Sequence, residues 1–202
     1  MLLTELLLFF AFALNAPESD AQAQAQSRDL ILRIREGDKQ AFRTFFDQHQ
    51  HALLSFLMSK GLDKPTSEDI LQQAFITIWE KRANLDEHRS IKAFLFTIAY
   101  NRMLNYLRDT KKTQTNFAFD VRQDTDSTPD TNAENAQAME AMQKALEQMP
   151  EKRRTVFEMC YVQELTYKEA AEILQITRKT VENHMALALK DLRIVLKNYI
   201  QN

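Results

Sequence analysis

The chain has 202 residues, of which 45% are hydrophobic and 27% are charged, a balance that suits one ordinary domain or two small ones. Its formal net charge of -2 excludes a strongly basic protein, so any nucleic-acid-binding surface must be local. With two glycines, four prolines and one cysteine, the composition predicts an almost entirely helical, all-α protein without an internal disulfide.

Residues 1–26 combine an apolar stretch with the alternating sequence AQAQAQ. The apolar part is short for a membrane span, and its only charge is Glu5, whereas secretory signals begin with basic residues. Three interpretations stay open: a signal or anchor, an apolar extension that packs on the protein, and translated sequence upstream of the true start. We expect AQAQAQ to be a linker and the folded body to begin at Ser27.

Residues 27–112 are predicted to form a first helical domain. Apolar side chains recur at helical spacing around a break at Gly37 and Asp38, which predicts a helical pair with a buried aromatic seam. A further helix over residues 67–82 carries an apolar stripe and a polar side. The polar side consists of Asp69, Gln72, Gln73 and Glu80. That side is either solvated or docks against a partner helix, and spacing alone leaves both open.

Residues 88–112 hold the local basic patch that the net charge conceals. Asn101, Asn105, Arg108 and Lys112 share one helical face, with Arg102 beside it. Four aromatic residues are interleaved with the basic ones: Phe94, Phe96, Tyr100 and Tyr106. Cations hold phosphates and exposed rings stack on unpaired bases, so this mixture suits opened DNA. The alternative is that the rings belong to the core and the charges are solvated.

The composition changes abruptly in residues 113–136, which are rich in Asp, Thr and Asn and poor in large apolar side chains. They are predicted to be a flexible acidic linker. Residues 137–202 return to helical patterns and are predicted to form a compact four-helix unit, with Pro150 at the start of one helix. Cys160 lies in an apolar run, which favours a buried, unreactive thiol.

The last helical pair, residues 166–193, is typical of a helix-turn-helix. Thr166 and Glu169 match a capping box, Thr177 can cap the second helix, and Gln175 occupies the turn where glycine is common. The first two turns of the second helix offer hydrogen-bonding groups, as a helix in the DNA major groove requires. A plain helical hairpin within a bundle is the alternative.

Two separated blocks of the sequence resemble one family. The first is SEDILQQAFITIWEKR followed by IKAFLFTIAYNRMLNYLR, and the second is PEKRRTVFEMCYVQELTYKEAAEILQITRKTVENHM. In this order, with an acidic segment between them, they are similar to bacterial RNA polymerase sigma factors of the extracytoplasmic-function (ECF) group. The resemblance runs from Asp29 to the C-terminus, and the apolar leader has no counterpart in a typical member.

The resemblance implies three sets of site residues. Contacts to the clamp of the largest polymerase subunit are implied for Asp69, Gln72, Gln73, Phe75, Ile78 and Trp79. Contacts to the minus-ten promoter element are implied for Asn101, Arg102 and Asn105, and the basic patch adds Arg89, Lys92, Arg108 and Lys112 to this set. Contacts to the minus-thirty-five element are implied for Thr177, Arg178, Lys179, Thr180, Asn183 and His184.

The implied partners are core RNA polymerase and promoter DNA, with a membrane-bound anti-sigma protein as a candidate inhibitor and the cytoplasm as the location. The sequence has no phosphate loop, paired-carboxylate site or metal-ligand cluster, so we expect a non-enzyme without catalytic residues, metal, cofactor or small-molecule substrate. Two alternatives stay open. One is a LuxR-type regulator, which ILQITRKTVENHM also resembles, and the other is an exported helical interaction protein.

Overall fold

The computed structural model describes residues 21–113 and 133–200, and the chain divides into two units that contain these two ranges. The described residues form helices and no strand, which confirms the all-α prediction. None of these helices is both long enough and apolar enough to cross a membrane. The apolar leader, residues 1–16, and residues 114–132 of the predicted linker lie outside the described residues.

Four α-helices and one 3-10 helix make up residues 21–113. They are α1 (Ala21–Arg35), α2 (Lys39–Ser59), α3 (Lys64–Glu80), the 3-10 helix Arg82–Asn84 and α4 (Ile91–Thr113). Helix α2 packs against α1, α3 and α4, and α3 also packs against α4. The helix predicted to dock on the polymerase and the helix predicted to read DNA are therefore neighbours in one bundle.

Helix α1 starts earlier than the sequence predicted. Residues 21–26, predicted as a linker, are the first turns of this helix. The physical reason is that alanine and glutamine are both good helix formers, and the segment contains neither glycine nor proline to stop a helix from extending backwards. A low-complexity composition was therefore a poor guide to linker structure here.

Helix α3 also starts before the predicted Ser67. The Oδ1 atom of Asp63 accepts a hydrogen bond from the backbone N–H of Thr66 at 2.9 Å, which caps the helix, and Pro65 occupies its first turn. Proline suits this place because a first-turn N–H has no partner within the helix.

The predicted break at Gly37 and Asp38 is the corner between α1 and α2. Gly37 has a φ of +88°, which glycine adopts without steric cost. Asp38 Oδ1 accepts the backbone N–H of Gln40 at 2.8 Å and of Ala41 at 3.1 Å. Arg33 donates two hydrogen bonds to Asp38 Oδ2, and this contact, with the two N–H groups, holds the pKa of Asp38 below its usual value.

Aromatic side chains form the core between α2, α3 and α4. Phe45, Phe56 and Phe96 are fully buried. The ring of Phe75 on α3 lies 5.5 Å from that of Phe45 and 4.7 Å from that of Phe46, both on α2. Phe96 on α4 lies 5.6 Å from Phe56 on α2. These ring pairs bury large apolar areas. They hold α3 against the N-terminal half of α2 and α4 against its C-terminal half.

His49 should make this unit sensitive to acid. Its ring lies edge-on to Phe45 at 4.8 Å between centroids, and burial, followed by the charge of Lys92, lowers the pKa of His49 from 6.5 to about 4. The unfolded chain therefore binds a proton at a higher pH than the folded protein. Stability is fully present above about pH 6.5 and falls as the pH drops towards about 4, with an expected loss of about 1–2 kcal/mol for this half-buried group.

Urea unfolding of the full chain at about pH 7 and about pH 4.5 measures this loss. His49→Gln removes the titrating group and should flatten the difference between the two pH values. His51→Gln is the matched control, because His51 is on the same helix but exposed. An unchanged pH dependence in His49→Gln would contradict the assignment.

Residues 133–200 form the second unit. It consists of α5 (Ala133–Gln148), α6 (Glu151–Phe157), a π-helical turn (Glu158–Val162), α7 (Tyr167–Leu174) and α8 (Arg178–Ile200). Helix α8 packs against α5, α6 and α7, which is the four-helix unit that the sequence predicted. Its inner side consists of the buried residues Val181, Met185, Ala188, Leu189 and Leu192. Helix α5 begins inside the stretch predicted as linker, at Ala133.

Cys160 lies in the π-helical turn that connects α6 to the segment before α7. Burial, with a smaller contribution from Glu169, raises the pKa of its thiol from 9.0 to about 12. The thiolate is the reactive form of cysteine, so near neutral pH this side chain stays protonated. It is not placed to act as a nucleophile.

Candidate polymerase and promoter surfaces

One exposed face of α3 combines polar side chains with an isoleucine. Asp69 and Gln72 are exposed, Gln73 is half-buried, and Ile76 is 44% exposed. Spacings of three and four residues place these side chains on one side of the helix, with Ile76 at the C-terminal end of the set. We call these four residues the α3 face. Ile76 was absent from the predicted set, although an isoleucine on the polar side of a regular apolar stripe is a signal that the sequence carried.

Two residues of the predicted polymerase-binding set lie in the core instead. Phe75 is 3% exposed and Ile78 is 0% exposed. Both belong to the stripe of α3 that faces the rest of the bundle, and the Phe75 ring packs on the aromatic rings of α2. Their side chains can support the α3 face from beneath but cannot touch a partner.

Trp79 is half-buried near the C-terminal end of α3. Its ring lies 5.0 Å from the Phe42 ring, and the guanidinium carbon of Arg82 lies 4.5 Å from the indole centroid. Arg82 also donates a hydrogen bond to the backbone carbonyl oxygen of Trp79 at 2.7 Å. Contact with an aromatic ring and a cation holds the indole in one orientation, so the part of it that remains exposed is pre-organised.

A second exposed face lies on α4. Asn101, Asn105 and Arg108 share it, and Leu104 beside them is 44% exposed. We call these four residues the α4 face. Amide and guanidinium groups can hydrogen-bond to base edges and to phosphates. The Arg108 guanidinium pairs with Asp109 at 3.5 Å, but both side chains are exposed, so this pair is weak and exchanges readily for a phosphate.

Two other residues of the predicted minus-ten set, Arg89 and Lys92, do not join the α4 face. Arg89 is exposed in the segment before α4. Lys92 is half-buried and lies near His49, whose pKa its charge lowers. It is about two and a half helical turns before Asn101 and therefore points to the opposite side of α4. Lys112 belongs to α4, but its side chain lies outside the described residues.

Arg102 is exposed beside the α4 face, but its guanidinium is directed towards α3. Its Nη2 atom donates a hydrogen bond to the Thr77 Oγ1 atom at 3.2 Å. The sequence predicted a DNA contact for Arg102, and this contact with α3 was not among the predictions.

The aromatic residues interleaved with the basic patch differ in exposure. Tyr106 is 43% exposed, Phe94 and Tyr100 are half-buried, and Phe96 is 0% exposed. For Phe96 the core interpretation is correct, because its ring faces α2. Of these four, Tyr106 offers the largest surface on which a base could stack.

The helix-turn-helix corner has the caps that the sequence predicted. Thr166 Oγ1 accepts the backbone N–H of Glu169 at 3.2 Å, and the Glu169 carboxylate accepts the backbone N–H of Thr166 at 2.8 Å, a complete capping box. At the start of α8, Thr177 Oγ1 accepts the backbone N–H of Thr180 at 3.1 Å. Both helix starts are thus determined by contacts between residues close in sequence.

Gln175 ends α7 in the left-handed conformation, with φ 54° and ψ 41°. This is the turn position where the sequence has glutamine and many helix-turn-helix motifs have glycine. A side chain with a Cβ atom is strained there, so Gln175→Gly should raise the free energy of unfolding by about 0.5–1 kcal/mol. Urea unfolding of the full chain measures it. A glycine within α7, Glu172→Gly, should lower the free energy of unfolding by about 1 kcal/mol. If both glycine variants raised it, or both lowered it, the explanation would be contradicted.

The start of α8 presents an exposed polar surface, which we call the α8 face. Thr177, Arg178, Lys179 and Asn183 are exposed, and Thr180 and His184 are half-buried. Glu182, absent from the predicted set, pairs with Arg178 at 3.2 Å and with Lys179 at 3.4 Å. One carboxylate therefore balances both cations until another anion replaces it.

Comparisons with known proteins decide the family. A model described as Sigma-70 region 2 matches residues 45–113, and one described as Sigma-70, region 4 matches residues 139–192. The chain is 28% identical over 163 residues to the ECF RNA polymerase sigma factor RpoE of Cereibacter sphaeroides, covering 77% of this chain and 86% of that one. It is 26% identical over 151 residues to the ECF sigma factor SigM of Bacillus subtilis, covering 73% and 90%. This chain is an ECF sigma factor.

Solved structures show the same fold. This sigma factor matches CnrH, solved in complex with the cytosolic domain of CnrY, with a TM-score of 0.59 and 22% identity over 85% of this chain and 97% of that one. It matches the sigma factor RpoE of Bartonella quintana, solved with the anti-sigma factor NepR, with a TM-score of 0.62 and 20% identity over 77% and 96%. The family resemblance predicted from the sequence is confirmed, and the LuxR-type and exported-protein alternatives are not favoured.

Proposed function

We propose that this sigma factor binds core RNA polymerase through the α3 face, reads opened minus-ten DNA through the α4 face, and reads the minus-thirty-five duplex through the α8 face. The observation that carries the proposal is the order of the two matches: region 2 spans α3 and α4, and region 4 spans α8 as far as Leu192. The exposed side chains on these helices have the chemistry that each task needs.

On α4, contacts between the protein and the opened DNA must replace the contacts between stacked bases. Opening a duplex loses base stacking, and capture of the freed strand must offset that loss. Asn101 and Asn105 can hydrogen-bond to a flipped base, Tyr106 can stack on one, and Arg108 can hold a phosphate. Catalysis belongs to the polymerase, so we infer no catalytic residue, metal or cofactor in this chain and a cytoplasmic site of action.

On α8, Lys179→Ala should weaken duplex binding across all sequences. A cation that contacts phosphate contributes through counterion release, so its loss lowers the slope of log affinity against log salt by about 1. Glu182→Gln is the informative counterpart, since it removes the carboxylate that competes with phosphate for Arg178 and Lys179. It should tighten binding. Fluorescence anisotropy on a promoter duplex at several salt concentrations measures both, and weaker binding by Glu182→Gln would contradict the α8 face as proposed.

In vitro transcription tests the whole proposal. Purified full-length protein is added to core polymerase without another sigma factor, on a library of promoter fragments. We expect selective initiation at fragments that share two conserved elements. Failure to confer selective initiation on an active core would overturn the proposed function, and equal initiation from fragments lacking the upstream element would overturn the role of α8.

We also propose an anti-sigma protein as a regulatory partner. Two related sigma factors were solved with such inhibitory or regulatory chains, NepR with RpoE and the cytosolic domain of CnrY with CnrH. Membrane fractions from the native cell should lower the free concentration of the purified sigma factor and its transcription activity. Added core polymerase should reverse both effects by competition. No change in either measurement would contradict a membrane-bound partner.

A further inference from the structure

A chain of hydrogen bonds joins the DNA-facing helix to the docking helix. Arg102 Nη2 donates to Thr77 Oγ1 at 3.2 Å, and Thr77 Oγ1 donates in turn to the backbone carbonyl oxygen of Gln73 at 2.7 Å. A hydroxyl has one proton to donate and lone pairs to accept, so Thr77 can make both bonds at once. The donors and acceptors are therefore determined: the guanidinium donates to the hydroxyl, and the hydroxyl donates to the carbonyl oxygen.

Thr77 lies between the α3 face and the α4 face, which these hydrogen bonds connect. Gln73, one turn before it, and Ile76, next to it, both belong to the α3 face. Arg102 adjoins Asn101 of the α4 face. An arginine at an exposed position has many rotamers of similar energy, and a bond to a neighbouring helix selects one of them. The remaining N–H groups of the guanidinium stay able to bind a phosphate.

We propose that Thr77 is a positioning residue, which holds the Arg102 guanidinium against α3 and so determines where that charge meets the opened DNA relative to the docked polymerase. This inference rests on the proposed α3 and α4 faces. A charge that is already placed loses little freedom when DNA binds, whereas a freely rotating one must be ordered at that moment. The threonine therefore acts on promoter opening without touching DNA.

Two substitutions at Thr77 distinguish the effect of its hydroxyl from the effect of its side-chain shape. Thr77→Val keeps the branched shape and removes the acceptor, whereas Thr77→Ser keeps the hydroxyl. With the full chain, purified core and a promoter from the transcription library, Thr77→Val should slow open-complex formation by about 2- to 5-fold, the effect of one exposed charge-assisted hydrogen bond. Affinity for core polymerase should not change. Permanganate reactivity of unpaired thymines measures opening, and fluorescence anisotropy measures core binding.

The matched control is Thr44→Val on α2. Thr44 Oγ1 also donates to a carbonyl oxygen one turn earlier, that of Gln40 at 3.0 Å, and Thr44 is exposed. It lies on a different helix from the α3 face. This variant should open the promoter at the wild-type rate, as should Thr77→Ser.

A double-mutant cycle with Arg102→Ala tests the connection itself. If Thr77 acts through Arg102, the double variant should open the promoter no more slowly than Arg102→Ala alone. The inference is overturned if Thr77→Val opens the promoter at the wild-type rate or lowers the affinity for core polymerase. It is also overturned if Thr77→Ser slows opening as much as Thr77→Val does, or if the double variant is slower than Arg102→Ala by the full factor that Thr77→Val causes alone. Asn101→Ala tests the α4 face separately: normal opening by that variant would refute the face, while the cycle would still decide the role of Thr77.

Discussion

Ile76→Glu is expected to lower the affinity for core RNA polymerase by about 30-fold or more. Ile76 is the apolar side chain of the α3 face, 44% exposed and flanked by Asp69, Gln72 and Gln73. A partner that covers this face removes the isoleucine from water. A carboxylate in its place would be desolvated without a cation beside it, which costs several times more than the loss of apolar contact.

Binding of labelled full-length protein to purified core measures the change. Met58→Glu is the control, because Met58 is also an exposed apolar residue, 39% accessible, and lies on α2 outside the α3 face. Both variants place the new charge where water already reaches, so the free energy of unfolding should change by no more than about 0.5 kcal/mol. Equal loss of affinity in the two variants, or full affinity in Ile76→Glu, would remove Ile76 from the interface.

Phe96→Ala is expected to lower the free energy of unfolding by about 3–5 kcal/mol. Phe96 is fully buried, and its ring packs on Phe56 at 5.6 Å between centroids. Removing it leaves a cavity between α2 and α4 that the surrounding side chains fill only in part. In a domain of this size such a loss is a large share of the total stability, so the variant should unfold at much lower urea concentrations.

Tyr106→Ala is the counterpart on the same helix. Tyr106 is 43% exposed and shares a long hydrogen bond of 3.5 Å with Thr66. We expect a stability loss of at most about 1 kcal/mol, and slower promoter opening if a base stacks on the ring. Urea unfolding and permanganate reactivity separate the two residues. If the Phe96→Ala protein keeps its stability but fails to open promoters, the core assignment is wrong and Phe96 contacts DNA.

Local rules account for much of what the sequence predicted correctly. The capping box of Thr166 and Glu169 and the cap at Thr177 involve residues three positions apart, and such contacts form whenever the helix forms. The inner stripe of α8 follows from helical periodicity for the same reason. Where a local rule was misapplied, as for residues 21–26, the composition had favoured a helix all along.

Periodicity could not tell which ring of a stripe is covered. Phe96 and Tyr106 both lie in the basic aromatic segment of α4, yet one is buried and the other exposed, because α2 packs on only part of that helix. Phe75 and Ile78 were assigned to the polymerase surface by the family resemblance, but both are buried. The position of a residue in a family motif does not state whether its side chain contacts the partner or supports the residues that do.

The sequence by itself determined the helical class, the caps at the helix-turn-helix corner and the family, because these depend on composition, on contacts within one turn and on the order of two motifs. Only the tertiary structure decided which members of each predicted site reach the surface, and that Arg102 meets Thr77, 25 residues away in the chain. Helix packing makes that decision, since a side chain is exposed or buried according to which other helix lies against it, and no local pattern contains that information.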